Sequence, residues 1–196
     1  MHDAPLIGPY NPGESLAWET DGPRTARQFL SDVSRLVDSL PDRPAVLNLL
    51  SSRYEFLVGF AAAMLRGQLT LLPQSRALQT LRRIAGDYHE SYCLTNQDEP
   101  VEGIESVVLR RHGSIAEWPR RIPHIPLDQV AAIAFTSGST GQPMPNRKTW
   151  GALTAVARAT GARLGLKTGE RAAVVATVPH QHMFGLEASV MLPIMH

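Results

Sequence analysis

Phe135–Trp150 reads FTSGSTGQPMPNRKTW, and the fold turns on how this stretch is read. Just before it, Val130-Ala-Ala-Ile-Ala-Phe-Thr is an apolar run of strand length. Just after it, Trp150-Gly-Ala-Leu-Thr-Ala-Val-Ala-Arg-Ala-Thr has helical spacing, with Thr149 placed to cap its first turn. The small and hydroxyl residues Thr136, Ser137, Gly138, Ser139, Thr140 and Gly141 are therefore expected between a buried strand and a helix. Glycine lets backbone N–H groups turn toward one point, and Ser and Thr hydroxyls add donors, which suits a phosphate. A hydrogen bond to a charged oxygen contributes about 1.5–3 kcal/mol, so several together hold a pyrophosphate. The competing reading is a flexible Ser/Gly linker. The strand that runs into the loop, and Pro143 and Pro145 at its exit, argue against it. No Gly-Lys-Ser/Thr closes the loop as in a Walker sequence, and its spacing is not G-x-G-x-x-G.

Working outward, apolar runs alternate with helical patterns. Phe29, Leu30, Val33, Leu36, Val37 and Leu40 share one helical stripe that Pro41 ends. Ala45-Val-Leu-Asn-Leu-Leu reads as a buried strand, Arg53–Arg66 as a helix stopped by Gly67, Leu69–Leu72 as a short strand and Ala77–Ala85 as a helix. Weaker strand signals follow at Ser91–Leu94 and Ser106–Leu109. Residues 1–23 read as an irregular arm, and 96–128 as loop and surface. Ala172-Ala-Val-Val-Ala-Thr-Val is expected to be a further buried strand delivering Pro179–Gly185 at its carboxyl end. The alternation predicts an α/β fold with a largely parallel sheet flanked by helices, whose ligands bind beyond the carboxyl ends of strands. Residues 130–135 and 172–178 are thus expected in one sheet, with Thr136–Gly141 and His182 facing a shared cleft.

A resemblance to a family rests on two motifs. TSGSTGQP resembles the phosphate loop of the adenylate-forming superfamily, which includes acyl- and aryl-CoA synthetases and peptide-synthetase adenylation domains. Pro179-His-Gln-His-Met-Phe-Gly185 resembles that family's P-x-x-H-x-x-G segment, which borders the carboxylate pocket. The family usually carries Lys directly after the loop proline; here Met144 and Pro145 follow Pro143, and Lys148 comes later. In this variant the chain is similar to the 3-hydroxybenzoate:acyl carrier protein ligases of aryl-polyene and xanthomonadin-type pigment clusters. The resemblance implies that residues 1–196 form the N-terminal portion of the large adenylation domain, with the C-terminal part of the family outside the chain. It implies ATP and Mg²⁺ as cofactors. It also implies a small aromatic or acyl carboxylic acid as substrate, and CoA or an acyl carrier protein as acceptor.

On that resemblance Thr136–Gly141 bind phosphate, and His182 gates the acid pocket. Phe184 is expected as a pocket wall, and Gly185 as the place where backbone approaches substrate. Lys148 is weighed as a replacement for the missing loop lysine, against a solvated lysine at a helix start. His180 and His182 form an H-x-H pair, but two histidines without a third ligand are weak evidence for zinc. The alternative to an enzyme is a non-catalytic phosphate- or acyl-adenylate-binding module, or a regulatory fragment.

Composition adds bounds. A net charge of +1 over 196 residues calls for no nucleic acid and no acidic membrane. The single cysteine, Cys93, excludes an internal disulfide framework, fits a reducing cytoplasm and reads as apolar filler. Phe56–Leu65, the longest uncharged apolar run, is too short to span a bilayer. The apolar run Leu186–Ile194 is expected to need cover from more chain or a partner.

Overall fold

Five of the expected strands gather in a single sheet. The computed structural model describes residues 2–98, 100–110, 117–137, 143–167, 170 and 173–196. In chain order the elements begin with β1 (Asp3–Pro5), β2 (Ser15–Glu19), β3 (Gly22–Thr25), α1 (Ala26–Ser39), β4 (Ala45–Asn48) and α2 (Arg53–Leu65). Next come β5 (Leu69–Leu72), α3 (Leu78–Asp87), β6 (Tyr92–Thr95), β7 (Ser106–Val108) and β8 (His124–Pro126). The chain continues with β9 (Val130–Ser137), β10 (Pro143–Thr149), α4 (Trp150–Arg163) and α5 (Met183–Leu186). A π-helical turn over Glu187–Met191 then leads into α6 (Leu192–Met195).

The sheet has the order β10-β9-β5-β4-β6-β7, parallel except for β10, which runs antiparallel to β9. From β4 to β5 the chain steps one way across the sheet, and from β5 to β6 it steps back past β4. Right-handed crossovers therefore place α2 and α3 on opposite faces. The core divides accordingly. Phe56 and Phe60 of α2 pack with Val46, Leu72, Ala132 and Ala134 on one face. Leu81 and Ile84 of α3 pack with Leu47, Leu71, Ile133 and Phe135 on the other. Every residue of α2 from Tyr54 to Met64 is buried, as expected of an apolar helix covered on its outer side, here by α1. Ser52 caps α2 by accepting from the Glu55 N–H. Gly67, at φ 70°, supplies the left-handed turn beyond its C-terminal end.

Several expectations are corrected. The stretch after β9 does not lead directly into a helix: β10 intervenes and pairs antiparallel with β9, and Thr136 and Ser137 are the last residues of β9 itself. Pro143 and Pro145 masked this strand in the sequence, yet proline is tolerated on an edge strand, where β10 sits. Residues 173–178 are not a buried strand. They pair with no strand among the described residues, and Val175 is 96% exposed. Apolar composition gives strand propensity, but a strand also needs a hydrogen-bonding neighbour.

The arm at 1–23 is more regular than expected: β1 pairs with β8, β2 with β3, and Leu6, Ile7 and Leu16 enter the core. Residues 96–128 likewise contribute β8, whose Ile125 is buried. Finally, Leu186, Val190, Met191, Leu192 and Ile194 are already buried by their own chain, against α4 and the arm.

Candidate functional site

The carboxyl ends of β5 and β9 open into a cavity of about 430 Å³ lined by Leu72, Gln74, Ala134, Phe135, Gln181, His182 and Met183. His182, half-buried, is thus placed beside the strand that carries the glycine-rich loop, although it does not arrive on a strand of its own. The backbone of Thr136 and Ser137 belongs to β9, whereas Gly138, Ser139, Thr140 and Gly141 lie outside the described residues. A larger cavity, about 970 Å³, lies between β1, β8, α4 and His196. None of the motif residues lines it, so the smaller one at the strand ends is the better candidate.

The segment that brings in His182 is held from several sides. His180 is buried, its ring centroid 4.6 Å from that of Phe56. Its Nε2–H donates to the Leu50 carbonyl at 3.1 Å, which fixes the neutral tautomer. Burial, with the nearby charges of Arg53 and Arg76, pulls its pKa down to about 4, against the opposing effect of the Leu50 carbonyl. Among the described residues no group of three His, Cys, Asp or Glu side chains could hold a metal ion.

Arg53, the first residue of α2, donates from Nη2 to Val178 O at 2.9 Å and to Ala176 O at 3.3 Å. From Nε it donates to Ser189 Oγ at 3.0 Å. Arg76, just after β5, donates to the same Leu50 carbonyl as His180. Neither arginine was singled out from the sequence. A signal was present for Arg53, because a cation opening a helix opposes the helix dipole and needs acceptors elsewhere.

The remaining expected residues separate. Lys148 pairs with Ala132, five ladder positions from the Ser137–Pro143 pair at the loop. That is about 17 Å along the strand, beyond the reach of a lysine side chain. The hairpin register thus places Lys148 at the end of β10 away from the Ser137–Pro143 pair. Phe184 is exposed and lines no part of the cavity at the strand ends. Gly185 is a point of close approach, but to the chain's own backbone: a Cβ there would lie 2.0 Å from Pro179 O. Trp150 is fully buried packing, its Nε1–H directed at Ala4 O. Cys93 is buried and free, and burial pushes its thiol up to about 12.

Comparison with known proteins bears on the family and the fold. Residues 46–196 match the family model described as AMP-binding enzyme. The fold is similar to o-succinylbenzoate CoA synthetase from Bacillus subtilis in complex with its acyl-adenylate intermediate. The TM-score is 0.77 at 19% identity, over 98% of this chain and 54% of that one. It is also similar to the adenylation domain of a keto acid-selecting peptide-synthetase module bound to keto acyl adenylate (TM-score 0.70, 15% identity, 88% and 35% covered). A third likeness is to a fatty acyl-adenylate ligase from L. pneumophila bound to acyl adenylate and pyrophosphate (TM-score 0.68, 17% identity, 88% and 33% covered). No curated protein sequence matches significantly. The chain spans about half the length of the synthetase to which it is similar, 54%.

Proposed function

Because this chain belongs to the AMP-binding enzyme family, we propose that it takes part in activating a carboxylic acid as its adenylate. In that reaction a carboxylate oxygen attacks the α-phosphorus of ATP, and the bond to pyrophosphate breaks. A thiol of CoA or of an acyl carrier protein then attacks the acyl carbon, and AMP leaves. The observation that carries the reading is the placement of His182 in one cavity with the end of β9, where the Ser/Thr/Gly loop begins. The loop at 136–141 would donate N–H and hydroxyl groups to the pyrophosphate oxygens as charge develops on them. His182 would border the carboxylate, and Phe135 gives the cavity an aromatic wall suited to an aromatic acid such as 3-hydroxybenzoate.

The chain accounts for 54% of the synthetase to which it is similar, and we propose that the adenylation site is completed by residues beyond these 196. Ribose contacts, acidic metal ligands and a cation at the α-phosphate would come from there. Loss of a single oxyanion donor costs about 10²–10³ in rate, so an isolated chain lacking several such groups makes no measurable adenylate. The same coverage favours one second reading, a module that binds phosphate without catalysis.

ATP–pyrophosphate exchange with a panel of aromatic and aliphatic acids separates the two. It is run on the 196-residue chain and on a longer polypeptide that contains it. Acid-dependent exchange by the longer form alone is the expected result. Binding without exchange in both forms would favour the module.

A further inference from the structure

We infer that Arg53 is a positioning residue for His182, its guanidinium doing for residues 176–182 what a sheet would otherwise do. The importance of this for function rests on the acid-binding role proposed above for His182. Residues 173–178 have no strand neighbour among the described residues, so no ladder of backbone hydrogen bonds fixes their place. Arg53 binds two carbonyls of this segment, Ala176 O and Val178 O, which alternate along one edge of an extended chain. Its Nε–H reaches Ser189 Oγ, and the Ser189 hydroxyl in turn donates to Gly185 O at 2.6 Å. One side chain therefore grips the chain on both sides of His182: at 176 and 178 before it, and through Ser189 at 185 after it.

The chemistry suits arginine in particular. The planar fork presents donors in fixed directions, so a single group can meet three separate acceptors. Arg53 makes no ion pair with a carboxylate among the described residues, and its three acceptors explain a cation at the start of α2, where the helix dipole disfavours one. The other holds are the His180 ring on Leu50 O and two local backbone bonds, His182 N–H to Pro179 O at 3.1 Å and Leu186 N–H to His182 O at 2.8 Å. These shape the turn itself, while the Arg53 contacts tie its two flanks to α2.

The test follows the histidine ring signals of the 196-residue chain by NMR, with His182 assigned through His182→Gln. Arg53→Gln and Arg53→Lys are compared with the unsubstituted chain, before and after addition of 3-hydroxybenzoate. In both variants the His182 signal moves while those of His89 and His124 stay. The concentration of 3-hydroxybenzoate that half-shifts His182 rises about tenfold or more. Arg53→Lys keeps the charge but loses the fork. It separates positioning from electrostatics, and it serves if Arg53→Gln does not fold. An unmoved His182 signal in the variants overturns the inference, and so does full restoration of acid binding by lysine. If the unsubstituted chain shows no response to the acid, the proposed substrate role fails, while the His182 signal in the variants still decides the role of Arg53.

Discussion

Gly185→Ala is the substitution on which the geometry bears most sharply. A Cβ at this position would lie 2.0 Å from Pro179 O, 2.8 Å from Pro179 C and 3.1 Å from His180 Cα. Ordinary contact begins near 3.4 Å, so α5 and the Pro179 carbonyl must part by about 1.4 Å. The obstructing atoms are backbone, and they belong to the segment that delivers His182, so no rotamer change relieves the clash. Overpacking of this kind costs about 1–3 kcal/mol, offset in part by the gain of about 0.5–1 kcal/mol from replacing glycine in a helix. Taking the middle of each range leaves a net loss of about 1.3 kcal/mol, which in a chain of this size lowers Tm by about 3–5 °C. Urea and thermal unfolding followed by circular dichroism read both quantities. Gly86→Ala is the internal control: Gly86 lies in α3, and a Cβ there meets nothing within 4 Å. It should stabilise by about 0.5–1 kcal/mol. A Gly185→Ala chain as stable as its parent would refute the close approach of α5 to Pro179, and with it the placement of His182.

Other consequences are simpler to read. His180 is neutral and buried with a pKa near 4 in the fold, against 6.5 when unfolded, so the unfolded chain gains a proton first as pH falls. Stability should therefore decline by about 1.4 kcal/mol per pH unit between those values, and His180→Gln should flatten that slope in urea titrations at pH 4–7. Cys93, with its thiol pushed up to about 12 by burial, should resist alkylation at pH 8 in the folded chain and react promptly in denaturant. Equal rates in the two states would show that the site is open. Lys148→Ala should leave pyrophosphate affinity unchanged within about twofold, because the register puts it at the far end of the hairpin. A tenfold loss would bring Lys148 back to the loop.

Much of the fold was legible because local pattern and tertiary outcome agree. Ala45–Asn48, Leu69–Leu72 and Val130–Phe135 are short apolar runs that the sheet buries, and Gly67 stops α2 where the sequence places it. The failures share a cause, which is that pairing is non-local. β10 carries two prolines and a run of polar residues, and only its place at the edge beside β9 makes it a strand. Residues 173–178 look like a strand and have no strand neighbour among the described residues. At the site, the P-x-x-H-x-x-G motif led to His182. The motif also drew attention to Phe184, which is exposed, and passed over Arg53, whose acceptors lie more than 120 residues further along the chain. No periodicity carries such a contact.

The central claim is that an anion binds at the end of β9, next to His182. Calorimetric titration of pyrophosphate into the 196-residue chain tests it most directly, with Gly141→Asp as the companion variant. An aspartate in the loop puts a negative charge where the account places the phosphate, and it repels that anion by Coulomb interaction. Saturable one-to-one binding, weakened about tenfold or more by Gly141→Asp, is the predicted result. No saturable binding, or binding that Gly141→Asp leaves untouched, would contradict the account.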